Sequence, residues 1–236
     1  MPPAITRRGL LTGAAAVATY AALQKRAGAE LSVTNLIGFG GGGVFPVVKA
    51  TNTSQTDANS TTHAVSLPAG IVSGDLLLIG ISSVSTWTTP SGWTLLYSIN
   101  NTHRHNVWYR QADGGEGASV TVTGGSSVLA SHFSYRISGA QASPEAATAS
   151  TWDPPNLAPS WGSKKTLWLA TAGQRGGSVT GTPTNYTNQV TSYQAVDDIR
   201  LVAMHRELDA ASEDPSAYTL SVAASEVAAT IAIQPI

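Results

Sequence analysis

His103-Arg104-His105 sets two imidazoles two residues apart, a spacing that on a strand puts both rings on one face and supplies part of a zinc ligand set. The pair lies between Asn100-Asn101-Thr102 and Asn106-Val107-Trp108-Tyr109, a polar tip between two strand-like runs, so the expectation is a solvated turn and no metal. Asp197-Asp198 and Glu213-Asp214 are the acidic pairs; glycoside hydrolysis or calcium binding would require their oxygens to converge on one point. Each pair sits in loop-like sequence, where acids are ordinarily solvated. Serine, histidine and aspartate are all present, but no Gly-x-Ser-x-Gly elbow anchors a nucleophile. Gly38-Phe39-Gly40-Gly41-Gly42-Gly43-Val44 has the spacing of a dinucleotide loop without the preceding strand, the following helix or the lysine of a phosphate loop, and reads as a hinge. The expectation is therefore a chain with no catalytic residues, no metal and no cofactor.

The six tryptophans are more informative. Indole faces stack on sugar rings, and Trp87, Trp152 and Trp161 fall in loop-like stretches where such a face can be offered. These three are the candidate carbohydrate-binding residues. Trp93, Trp108 and Trp168 occupy strand positions and are expected in the core.

The elements that carry these residues follow from composition and pattern. Only 11% of the 236 residues are charged, against roughly a quarter in an average globular protein, and the net charge is −1. Four of the thirteen basic residues lie within the first 26, so the rest of the chain has no cationic surplus for a phosphate backbone, and nucleic-acid binding is not expected. The absence of cysteine removes disulfides, zinc knuckles and thiol catalysis together. The longest apolar run, Leu10 to Leu23, falls short of the ~20 residues that span a bilayer.

Residues 1-29 admit two readings. Thr6-Arg7-Arg8-Gly9-Leu10-Leu11, the Ala-rich run after it, Lys25-Arg26 and the closing Ala27-Gly28-Ala29 resemble a twin-arginine export signal with its cleavage site. The same residues also suit a retained Ala-rich arm, helical from about Arg8 to Ala27 behind a Thr6 cap, with Arg7, Arg8, Leu10 and Leu11 attaching it to a partner. Residues 30-46 read as a Gly-rich linker.

Residues 47-236 read as short strands punctuated by turns, with alternation in Ser119-Val120-Thr121-Val122-Thr123 and a doubly covered strand over Leu76 to Ile81. Helical periodicity is confined to a weak hint at Pro144–Ala149. Two halves, about 60-140 and 160-236, repeat one order of elements. Asp75-Leu76-Leu77-Leu78 matches Thr166-Leu167-Trp168-Leu169, Thr89-Pro90-Ser91-Gly92-Trp93 matches Thr182-Pro183-Thr184-Asn185-Tyr186, Trp108-Tyr109-Arg110 matches Met204-His205-Arg206, and Phe133 to Ile137 matches Ala229 to Ile233. The fold expected is all-β: an antiparallel jelly-roll-like β-sandwich with two pseudo-repeated halves, preceded by the N-terminal helical or extended arm.

The runs Pro68-Ala69-Gly70-Ile71-Val72-Ser73-Gly74-Asp75-Leu76-Leu77-Leu78, Thr89-Pro90-Ser91-Gly92-Trp93-Thr94-Leu95-Leu96 and Tyr109-Arg110-Gln111-Ala112-Asp113-Gly114-Gly115-Glu116 resemble a β-sandwich module of tailed-phage and prophage structural proteins, fibres and spikes among them, and of some bacterial surface proteins. The resemblance covers about residues 60-236. It implies a non-enzymatic virion subunit, head- or tail-associated, attached by its N-terminal arm to capsid or tail proteins. A homo-oligomer and a host-surface glycan are the further partners expected. The alternative it leaves is an exported bacterial surface protein that binds polysaccharide after signal cleavage.

Overall fold

The computed structural model describes residues 43–221 and 225–236. The candidate attachment residues Arg7, Arg8, Leu10 and Leu11, and the linker up to residue 42, lie outside the described residues. Among the described residues the chain forms thirteen strands and no helix: β1 (Val47–Ser66), β2 (Leu76–Ser83), β3 (Trp87–Thr88), β4 (Thr94–Asn100), β5 (Arg104–Gln111), β6 (Ser119–Ser138), β7 (Glu145–Ala149), β8 (Lys164–Arg175), β9 (Val179–Gly181), β10 (Thr187–Gln194), β11 (Ile199–Ala210), β12 (Thr219–Leu220) and β13 (Ser225–Ile233).

All pairings are antiparallel, and each half of the chain makes its own sheet. The first has the order β1-β6-β2-β5-β4 with β3 added on β6, the second β10-β11-β8-β13-β7, and β9 pairs with β12 in a small ribbon. Read from β7 to β10, the second sheet repeats the first strand for strand, with β7, β13, β8, β11 and β10 in the places of β1, β6, β2, β5 and β4. The sequence repeat is thus a repeat of topology. Its turns correspond too: Gly92 (φ 77°) and Asn185 (φ 66°) occupy the same left-handed position, and the amides of Trp93 and Tyr186 donate to the carbonyls of Pro90 (3.1 Å) and Pro183 (3.3 Å).

The two sheets enclose one apolar layer, since neither half can bury its inner face alone. Leu76, Leu78, Val107, Phe133, Tyr135 and Ile137 meet Leu167, Leu169, Leu201, Ala203, Ile231 and Ile233 there. The far end of the Phe133 ring covers Gly80, its partner across the β2–β6 pair, where any β-carbon would stand 2.4 Å from the ring. Each sheet also carries an apolar cover on its outer face, which explains why all eight residues of β2 are buried. Leu77, Ile79 and Ile81 pack outward with Trp93, Trp108, Val65 and Val122. Val65 and Val122 reach that face because the β1–β6 ribbon bends back on itself at register shifts between Thr56 and Thr62; the Ser66 amide then donates to Ser54 Oγ at 3.1 Å. On the second sheet Trp168, Met204 and Tyr186 are covered by Trp152, Leu157 and Tyr218.

The hint of helix at Pro144–Ala149 is overturned. Glu145–Ala149 is β7, paired with β13, and its five residues gain an edge position on a sheet that outweighs any helical preference in so short a run. Gly43 lies against Pro235 at 3.4 Å from the position of an added β-carbon, and the Ile236 amide donates to Gly139 O at 3.2 Å, so both ends of the sandwich's chain leave from one end. The hairpin tips at 101–103 and 195–198 stand at the other.

Candidate functional site

The three candidate sugar-binding tryptophans are held by packing. Trp152 is 7% exposed and meets the Tyr218 ring edge-on at 6.0 Å, so its face is spent in the outer core of the second sheet. Trp161 is half-buried against the same cluster, with Nε1 donating to Thr166 Oγ1 at 3.2 Å. Trp87, half-buried on the first sheet's outer cover, meets the His63 ring edge-on at 4.9 Å. The three do not come together on one surface. Trp93, Trp108 and Trp168 are buried as expected, although Trp93 lies in the turn just before β4 and not on a strand.

The acidic pairs do not converge. Asp197 and Asp198 flank the β10–β11 tip and pair with Arg175 (3.1 Å) and Arg200 (3.3 Å). Glu213 is buried at the far end of β11, bonded to Arg206 Nη1 at 2.8 Å and to the Tyr186 hydroxyl at 3.3 Å. Eight residues of strand separate Asp198 from Arg206, roughly 26 Å at about 3.3 Å per residue, far beyond the ~5–9.5 Å of glycosidase carboxylates. Arg206 lies 5.8 Å from the centre of the Tyr186 ring, and Arg110 stands in the same relation to Trp93 at 6.0 Å while pairing with Glu116 at 3.0 Å. These are matched braces, one per half. Among the described residues no three histidines or carboxylates assemble for a metal ion.

The expectation of a solvated turn at His103–His105 is corrected: both rings are wholly buried. The half of the sandwich interior nearest the hairpin tips is polar, and its hydrogen bonds cross between sheets. His105 Nε2 meets the Tyr97 hydroxyl at 2.7 Å, that hydroxyl meets Thr171 Oγ1 at 2.8 Å, and His105 Nδ1 meets Ile81 O at 3.1 Å. Ser131 Oγ donates to Ile199 O at 2.9 Å, and Ser192 Oγ donates to Ser54 O at 2.7 Å. Burial pushes the His105 pKa down to about 4 and those of His103 and His132 to about 3, aided at His103 by the charges of His105 and Arg175 and at His132 by His63. The rings are therefore neutral. Ser82 Oγ sits 2.6 Å from His103 Nε2, the spacing of a nucleophile and its base, but both are fully buried and His103 Nδ1 has no partner to orient it. The arrangement is a structural hydrogen bond.

Two features face solvent. At the β10–β11 tip, Tyr193 is 38% exposed with the Arg200 guanidinium stacked on its ring at 3.7 Å, and Val196 beside it is 73% exposed. The second feature is a cleft in the side of the sandwich, between the edge strands β1 and β10. One residue too many on each strand opens it. The register shifts at Lys49 on β1 and between Thr187 and Val190 on β10, and both irregularities line the same ≈ 380 Å³ space, with His205 of β11 in its wall. The bulge holds Asn188 at φ 54°, and its Nδ2 lies 3.2 Å from His205 Nε2. Burial lowers the His205 pKa, and its Nδ1 is enclosed without a partner, as is the hydroxyl of Tyr135, whose ring meets His205 edge-on at 6.3 Å. Sequence reading missed both features; the Asn185 to Gln189 run carried turn chemistry that signals a bulge but not what faces it.

Fold and surface together define an all-β, two-half sandwich with a polar lateral cleft. No family model, no curated protein and no solved structure matches this chain.

Proposed function

We propose that the protein is a non-enzymatic structural subunit of a tailed-phage particle, a fibre, spike or decoration protein attached by residues 1–29, whose sandwich projects outward and contacts host surface glycans. The observation that carries this reading is the placement of the chain ends. The sandwich is joined to the preceding residues at Gly43, beside Pro235 and Ile236, while the exposed Tyr193 and Val196 stand at the β10–β11 hairpin tip at the opposite end. A module tethered at one end and adhesive at the other has this layout. The turns shared with phage sandwich modules, the low charge and the matched Arg–Glu braces of the two halves support it further. Capsid or tail subunits and further copies of the chain are its partners.

The test is the intact mass of the protein from purified particles and from the cell envelope of its source. A full-length chain in particles is expected. A chain starting after Ala29 and found only in the envelope overturns this reading in favour of an exported, polysaccharide-binding surface protein, which the Ala27-Gly28-Ala29 sequence favours.

A further inference from the structure

We infer that the lateral cleft between β1 and β10 binds an uncharged sugar, one or two pyranose units of a neutral glycan. This rests on the reading of the sandwich as a glycan-contacting module, but places the contact on its side and not at its tip. The two bulges are the first observation. A bulge on an edge strand re-aims a side chain, and here the left-handed Asn188 turns its amide away from regular pairing and onto His205. The second is the lining that these bulges bring together: Lys49, Asn188, Gln189 and His205 border one space, with His205 Nε2 3.2 Å from Asn188 Nδ2.

The chemistry of the lining selects the ligand. A sugar hydroxyl both donates and accepts, and so do the carboxamides of Asn188 and Gln189 and the hydroxyls of Thr51 and Thr191 that line the cleft. Val48 and Val190 offer the apolar contact that the C–H face of a pyranose needs. Lys49 on one side of the lining is offset by Glu207 on the other, and the Arg206 guanidinium is held by Glu213 at 2.8 Å, so the cleft has no net positive charge to favour an anion. A second space of ≈ 370 Å³ shares Asn188 and His205 with it and reaches Glu207, and each is at the low end of the ~300–1,000 Å³ of ligand cavities.

The full-length protein is titrated by saturation-transfer NMR and on immobilised probes of two kinds: neutral (oligomannose, N-acetyllactosamine, chitotriose) and acidic (oligosialate, polygalacturonate). Saturable binding to a neutral probe is expected. Asn188→Gly keeps the left-handed backbone and removes only the amide, so it lowers affinity at least tenfold with unchanged melting temperature. Gln189→Ala, on an exposed side chain, weakens binding less, and Tyr193→Ala leaves it intact. Equal affinity of Asn188→Gly and the parent overturns the assignment, as does binding of acidic probes alone. If Tyr193→Ala abolishes binding and Asn188→Gly does not, the glycan reading stands and the cleft assignment falls. If no probe binds, both fall, and membership of a particle is still decided separately by the intact mass.

Discussion

At the scale of single residues, the interior is least tolerant where a ring on one strand lies over its partner on the next and leaves no room for a side chain. Gly80 faces Phe133 so closely that Gly80→Ala places a methyl 2.4–2.9 Å from three ring carbons. It is expected to cost about 2–3 kcal/mol of stability, read as a lowered urea midpoint, and Phe133→Leu in the same chain recovers part of that loss. The histidines set a different limit. His103, His105 and His132 are neutral when folded and take up a proton in the unfolded chain below about pH 6.5, so burial of His63 acts in the same direction. Because these pKa values are depressed, their stability is fully present above pH 6.5 and is lost as the pH falls from there toward 3–4. Each of the three most buried rings contributes about 1.4 kcal/mol per pH unit across that window. Urea titrations between pH 7.5 and 4.5 are expected to show this steep fall, shallower in His105→Gln. A flat profile would mean that the rings are solvated, as the sequence around His103 suggests. That sequence misled because an Asn-rich tip and a strand end read alike, and only the opposing sheet, with Thr171 and Arg175, decides which residues are covered.

At the scale of elements, the Thr-Pro-x-x-aromatic turn is the unit that the two halves share, and its chemistry is local. Gly92 and Asn185 both adopt the left-handed conformation that costs other residues about 1–2 kcal/mol. A β-carbon on Gly92 would meet only Arg110 at 3.6 Å, so the penalty there is conformational and not steric. Gly92→Ala is expected to cost about 1–2 kcal/mol in denaturant unfolding, and Gly92→Asn markedly less, as its counterpart in the second half tolerates asparagine. Such turns were legible in full. β1 was not: the polar run Thr51 to Thr62 has no apolar alternation to mark it, yet it is a strand because β6 supplies its partner and its alternation is half-buried against solvent. β7 was missed for the same reason, being defined by β13 and not by its own residues.

At the scale of the molecule, the halves are alike but not independent. The central layer draws Leu76, Phe133 and Ile137 from one and Leu169, Leu201 and Ile231 from the other, and full burial of each such side chain is worth roughly 1.5–3 kcal/mol. Residues 43–143 expressed alone are therefore expected to lack a cooperative melting transition, as are residues 144–236. Mixing the two during refolding is expected to restore near-UV circular dichroism from the tryptophans. A cooperative transition in either half alone would show that its outer cover suffices as a core.

The sequence by itself determined what depends on neighbours in the chain: an all-β protein, its turns, the doubly covered β2, the buried Trp93, Trp108 and Trp168, and the repeat of element order. Each is a matter of period, propensity or a left-handed position, which a short stretch of residues carries. Only the tertiary structure decided that each half builds a separate sheet, that four histidines lie buried, that Trp152 is covered by Tyr218, and that two bulges open a cleft beside His205. Those outcomes depend on residues from distant parts of the chain meeting across the sandwich, and the pattern along one strand holds no record of which strand will face it.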